Sequence, residues 1–122
     1  TVKDWFNRYS GPALVIGFSA GASALWAVTG QDVFHDQTRA VCFYGSQIRR
    51  YTHVEPKIET RLFFPVKEAH FDVSQLIELI ADKKNVNMVQ TEYLHGFMNK
   101  RSTHFDPHGY NQYIEQIRQI IP

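Results

Sequence analysis

Three kinds of side chain in this sequence could together perform acyl chemistry: a serine, a histidine and a carboxylate. The serine is Ser19, in Gly17-Phe18-Ser19-Ala20-Gly21, a G-x-S-x-G pattern. The apolar run Leu14-Val15-Ile16 leads into it, and helix-forming Ala22-Ser23-Ala24-Leu25-Trp26-Ala27 follows. A strand, a very tight turn and a helix are therefore expected, with the serine at the apex. Such a turn strains the serine backbone and lifts its hydroxyl clear of a sheet. Side chains at 17 or 21 are expected to collide where strand and helix crowd together, which assigns glycine to both places. The N-terminus of the following helix directs backbone N–H groups, Ala20 first, at any oxyanion formed beside Ser19.

A nucleophilic serine needs a base, and the base needs an orienting acid. In open parallel sheets functional groups gather beyond the C-terminal ends of the strands. Two further apolar runs end in chemically equipped segments, Glu68-Ala69-His70-Phe71-Asp72 and Tyr93-Leu94-His95-Gly96-Phe97. The order Ser19, Asp72, His95 follows the Ser…Asp…His order of α/β-hydrolase triads. Glu68 competes with Asp72 for the acid position, since an aspartate before an apolar periodic segment also suits a helix N-cap. His70 reads as a solvated loop residue. His104, Asp106 and His108 form an H-x-D-x-H cluster that could ligate a metal. Its spacing is loose and Pro107 disturbs it, so a solvated loop is favoured and no metal or other cofactor is expected. Phe18, Tyr44, Arg49 and Phe97 are candidates for a substrate rim. For Arg49, with Arg50 and Tyr51, a solvated charged loop competes with anion binding.

These groups must be held by regular elements, and the hydrophobic pattern supplies them. Residues 2–9 read as a short amphipathic helix carrying Trp5, Phe6 and Tyr9. Residues 13–18 read as a buried strand, 20–29 as a helix stopped by Gly30, and 39–45 as a second strand ending in Tyr44-Gly45. Residues 47–60 are polar and unclear. A third strand is expected over 61–68, with Pro65 awkward inside it because proline removes a ladder hydrogen bond. A helix over 73–83, a fourth strand over 86–94 and a final helix over 109–121 complete the pattern. Alternation of this kind indicates a single domain over 1–122, an α/β fold with a parallel sheet, helices on both faces and right-handed crossovers.

Composition narrows the function. The 122 residues are 43% hydrophobic and 14% aromatic, enough for a packed core. A net charge of +1 gives no footprint for nucleic acid or a membrane surface. The single cysteine, Cys42, lies in an apolar run and reads as a buried inert thiol. It excludes an internal disulfide, and together with the lack of a leader-like start it suits a cytoplasmic setting.

The GFSAG after a strand, Tyr44-Gly45 after the next, Ala69-His70-Phe71-Asp72 after the third and His95-Gly96-Phe97 after the fourth resemble the dienelactone hydrolase family of α/β hydrolases, from about residue 10 onward. The resemblance implies a Ser19 nucleophile, an Asp72 orienter, a His95 base and an ester, thioester or lactone substrate. Dienelactone hydrolases proper carry cysteine at the nucleophile position, whereas many broader relatives carry serine, as this chain does at Ser19. The family usually has a glycine three residues before the acid, where this chain has Ala69. It also has strands ahead of the elbow that are not seen here and that would supply the second oxyanion donor. The 13–18 strand would then present an open apolar edge, to be covered by a missing N-terminal segment or by another copy in a homo-oligomer. The competing expectation is a catalytically silent module of the same fold, acting in binding or assembly. A metal-dependent hydrolase using residues 104–108 is a third.

Overall fold

A computed structural model describes residues 11–121. The helix expected over 2–9, with Trp5, Phe6 and Tyr9, lies outside the described residues. Within them four strands form one parallel sheet: β1 (Leu14–Phe18), β2 (Arg39–Phe43), β3 (Glu59–Phe64) and β4 (Val86–Gln90). They lie in chain order, with Leu14 opposite Arg39, Arg39 opposite Glu59 and Thr60 opposite Val86. Helix α1 (Ala20–Thr29) joins β1 to β2, α2 (Val73–Ile80) joins β3 to β4, and α3 (Pro107–Arg118) follows β4.

Strands added one after another in one direction, with crossovers of one hand, put the crossover helices on the same face. The side chains divide accordingly. Ala40 and Cys42 of β2 and Leu62 and Phe64 of β3 meet Leu25 and Trp26 of α1 and Val73, Leu76 and Ile80 of α2. Their strand neighbours Val41, Phe43 and Phe63 point the other way and pack on Tyr113 and Ile117 of α3, with Tyr93 and Phe97. Period-two alternation thus feeds two cores, one per face. Trp26 is fully buried, and its indole N–H donates to the Tyr51 carbonyl at 2.8 Å, which satisfies the one polar group on that ring. Burying an aromatic of this size contributes about 2–3 kcal/mol to folding.

Several boundaries differ from those read from sequence. β3 begins at Glu59 and ends at Phe64, so Pro65 follows the strand instead of interrupting it. The polar stretch over 47–60, unclear from sequence, begins within a 3-10 turn at Ser46–Arg50 that buries Ile48. α3 starts at Pro107, two residues before the expected start, because Asp106 caps it by accepting the Gly109 N–H at 3.0 Å and proline suits the first helical position. Among the described residues β1 pairs only with β2, and Ile16 and Phe18 on it are exposed. No helix of the described residues is long and apolar enough to cross a membrane.

Candidate active site

The elbow forms because β1 must reverse into α1 within one residue. Ser19 has φ 54° and ψ −119°, a left-handed backbone that costs a non-glycine residue about 1–3 kcal/mol. Its amide is held by the Phe43 carbonyl at 2.9 Å, and its carbonyl accepts the Ser23 N–H at 3.1 Å. A Cβ on Gly17 would sit 2.7 Å from the Gly21 carbonyl oxygen and 2.8 Å from the Ala22 backbone, so only glycine lets the helix come this close. Gly21 is different from expectation. A Cβ there meets nothing within 4 Å among the described residues, because position 21 lies on the outer side of the first turn of α1. Ser19 occupies the N-cap position of α1 without using its hydroxyl to cap. Ala20 opens the helix, where first-turn amides have no acceptor within the helix itself.

The Ser19 hydroxyl instead meets His95. Ser19 Oγ lies 3.0 Å from His95 Nε2, and His95 Nδ1 lies 2.9 Å from Glu68 Oε2. His95 follows β4 on a loop whose shape is set by the two residues after it. Gly96 has φ 92°, and a side chain there would strike the Ser102 hydroxyl at 2.6 Å. Phe97 is fully buried against Phe43, Tyr44, Tyr93 and Tyr113 and anchors the loop in the α3-side core. The Asp106 amide donates to the Phe97 carbonyl at 3.1 Å, tying the far end of the loop back. The sequence His95-Gly96-Phe97 is therefore a presented imidazole, a turn and an anchor.

Two carboxylates competed for His95, and the structure puts Glu68 there. Asp72, the expected orienter, is exposed and caps α2, its Oδ1 accepting from the Ser74 and Gln75 amides at 2.9 and 3.4 Å. The reason is the early end of β3. With the strand stopping at Phe64 before Pro65, the returning loop reaches the sheet edge at Glu68 and has already entered the helix cap at Asp72. The Glu68 side chain is only 11% exposed, which shields its pair with His95 from solvent. Pro65 was the signal for the earlier strand end.

A cleft of about 580 Å³ opens over Ser19, bounded by Phe18, Tyr44, His95, Met98 and Tyr110, with Asn99, Lys100 and Ser102 at its polar side. Phe18 and Tyr44 thus lie where a substrate rim was expected. Phe97 does not, since it is core. Arg49 does not either: its guanidinium stacks 4.9 Å from the centre of the Phe71 ring, in a separate hollow on the Glu68 side of His95. Lys100 holds its ammonium over the Tyr110 ring at 5.3 Å. Of the cluster suggested as metal ligands, His104 Nδ1 sits 3.2 Å from the His95 carbonyl oxygen and Asp106 is the α3 cap. Among the described residues no three His, Cys, Asp or Glu side chains converge as a metal site would require. Tyr44 has φ 41°, which sequence reasoning did not foresee, and its buried phenol is pushed above its ordinary pKa by desolvation, opposed by the Met98 backbone N–H. Cys42 is buried on the α1 side, its thiol pushed up to about 12 by desolvation.

A parallel sheet flanked by helices, a serine on a strained strand-to-helix turn and hydrogen-bonded Ser19, His95 and Glu68 side chains are consistent with an α/β-hydrolase-like architecture and a hydrolase-like centre. The chain is 38% identical over 94 residues to the uncharacterized protein YczH of Bacillus subtilis (strain 168), an alignment covering 75% of this chain and 45% of that protein. The chain therefore spans less than half the length of this relative. No protein-family profile matches the chain.

Proposed function

We propose that this chain carries the catalytic centre of a serine hydrolase that cleaves a small ester, thioester or lactone through an acyl-enzyme. The observation that carries the reading is the unbroken series Ser19 Oγ, His95 Nε2, His95 Nδ1, Glu68 Oε2, with both links at hydrogen-bond length. Glu68 accepts a hydrogen bond from Nδ1–H and so keeps Nε2 unprotonated and facing the hydroxyl. Ser19 Oγ attacks the substrate carbonyl carbon while its proton passes to Nε2. The oxyanion takes the Ala20 N–H and the positive end of α1. The new imidazolium, stabilised by Glu68, gives its proton to the leaving alcohol or thiol as the carbonyl re-forms. Water then attacks the acyl carbon, its proton going to Nε2; the acyl group leaves as a carboxylic acid while Nε2 returns that proton to Ser19 Oγ. No step calls for an organic cofactor. The aromatic and apolar wall of the cleft suits an apolar acyl or leaving group.

A fluorophosphonate probe tests the reading directly. Labelling of the folded protein at Ser19, abolished in Ser19→Ala together with p-nitrophenyl acetate turnover, supports it. Folded protein that is neither labelled nor active leaves a silent module of the same fold. Loss of turnover on chelation, with Ser19→Ala still active, would instead favour metal-dependent hydrolysis.

A further inference from the structure

Tyr44 stands out for its backbone. It is a large aromatic residue with φ 41°, in a region favoured by glycine and asparagine, and it is 3% exposed. Surroundings must over-determine such a conformation for it to persist, and here they do. Its amide donates to the Phe63 carbonyl at 2.8 Å. Its ring centre lies 4.7 Å from that of His95, 5.7 Å from Phe97 and 6.3 Å from Phe18. Because Phe18 pairs with Phe43, Tyr44 and Ser19 are the next residues on adjacent strands.

His95 is fixed at two ring atoms, Nε2 by Ser19 and Nδ1 by Glu68. With both nitrogens held, the imidazole can still tilt if the loop carrying its Cβ moves, and the His95 side chain on that loop is 36% exposed. A third, lateral contact is needed to stop that motion. The Tyr44 ring, tilted 50° to the imidazole, supplies it. We propose that Tyr44 is a positioning residue whose ring braces His95 against Ser19. The strained backbone is what brings the ring into that place from the end of β2. This rests on the hydrolase reading above and replaces a simple rim assignment for Tyr44, in which the ring would only bind substrate.

The two assignments differ in which kinetic constant responds. A misplaced base lowers kcat, whereas a lost rim contact raises KM. Tyr44→Leu, which removes the ring, is expected to lower p-nitrophenyl acetate kcat by about 30–100-fold with KM within about threefold of wild type. Tyr44→Phe, which keeps the ring, is expected to stay within about fivefold in kcat. Urea midpoints establish that both variants are folded. Should the leucine variant not fold, Tyr44→Asn removes the ring while suiting the positive φ. Two-bond proton–nitrogen spectra of the imidazoles give a readout independent of turnover: one sharp His95 tautomer in wild type and Tyr44→Phe, and a broadened or mixed signal in Tyr44→Leu. A raised KM at unchanged kcat, equal kcat in the leucine and phenylalanine variants, or a His95 signal unaltered by Tyr44→Leu would each overturn the proposal. Failure of the hydrolase reading shows differently, as wild-type protein unlabelled at Ser19. The His95 spectra then still decide whether Tyr44 sets the ring.

Discussion

The two carboxylates of the loop after β3 give the sharpest test of the site, because one geometry predicts opposite outcomes for them. Glu68 Oε2 accepts from His95 Nδ1 at 2.9 Å, so it selects the tautomer whose Nε2 is free to take the serine proton. Glu68→Gln keeps the shape but can offer an N–H in that place, which favours the opposite tautomer and blocks Nε2. The expected loss in kcat is about 10²–10⁴-fold, or about 2.7–5.5 kcal/mol of barrier. Glu68→Asp keeps the charge but withdraws it by about one bond length, roughly 1.5 Å, which stretches the 2.9 Å contact beyond hydrogen-bond range and predicts an intermediate loss. Asp72 only caps α2. Asp72→Asn preserves an acceptor for the Ser74 amide and is expected to leave both kcat and stability near wild type. Asp72→Ala is expected to cost about 0.5–2 kcal/mol of stability with kcat unchanged. Esterase kinetics and urea denaturation on the four variants provide the assay. Turnover lost in Asp72→Asn and kept within a few-fold in Glu68→Gln would refute the assignment of the acid.

The elbow makes a second pair of predictions. Gly17→Ala forces a Cβ to 2.7 Å from the Gly21 oxygen, so a loss of about 1–3 kcal/mol in urea unfolding and impaired labelling of Ser19 are expected. Gly21→Ala meets open space in a helical position and is expected to gain about 0.5–1 kcal/mol. Cys42 predicts a pH dependence. Its thiol rises from 9.0 to about 12 on burial, so between those values the unfolded chain has released a proton that the folded one keeps. Stability then falls as pH rises above 9, by about 1.4 kcal/mol per pH unit from this group alone, and Cys42→Ala should flatten the slope in urea titrations run from pH 8 to 11. For the same reason a thiol reagent at pH 8 should modify Cys42 only after unfolding. Asp106→Ala removes the acceptor for the Gly109 amide at the start of α3, and a loss of about 1 kcal/mol is expected.

Much of this was legible in the sequence where local physics decides. The β1-elbow-α1 unit needs only an apolar run, a glycine, a serine and a helix former in order, and the expected strand and helix match Leu14–Phe18 and Ala20–Thr29 closely. The parallel order of strands followed from their alternation with helices. What was not legible depended on where a chain stops. Asp72 was the expected orienter from the Ser…Asp…His order and the family resemblance, with Glu68 as its competitor; the segment after β3 instead brings Glu68 to His95 and leaves Asp72 at the cap of α2. Phe97 was a rim candidate beside His95, and Arg49 was one for its charge. Direction decides instead: Phe97 turns inward as an anchor, and Arg49 lies on the Glu68 side. The clash expected at Gly21 failed for a similar reason, since the crowding at the elbow falls on one side of the helix only.

Strain links the parts of the site that sequence patterns treat separately. Ser19 and Tyr44 follow paired residues of β1 and β2, and each continues the ladder by one amide bond, to Phe43 and Phe63, before turning into positive φ. Two adjacent strands thus stop at the same level and turn their next side chains into one cleft. The fold bears about 1–3 kcal/mol at each of these residues. A relaxed backbone would carry either side chain onward along its strand direction, away from the imidazole. The two cores supply the resistance, Trp26 and Leu25 behind α1 on one face, Phe43 and Phe97 on the other. Weakening either core should therefore release the elbow before it unfolds the sheet. Labelling of Ser19 at urea concentrations below the main transition tests this: loss of labelling ahead of the loss of helix signal is expected, and coincident loss would mean that the strain is held locally.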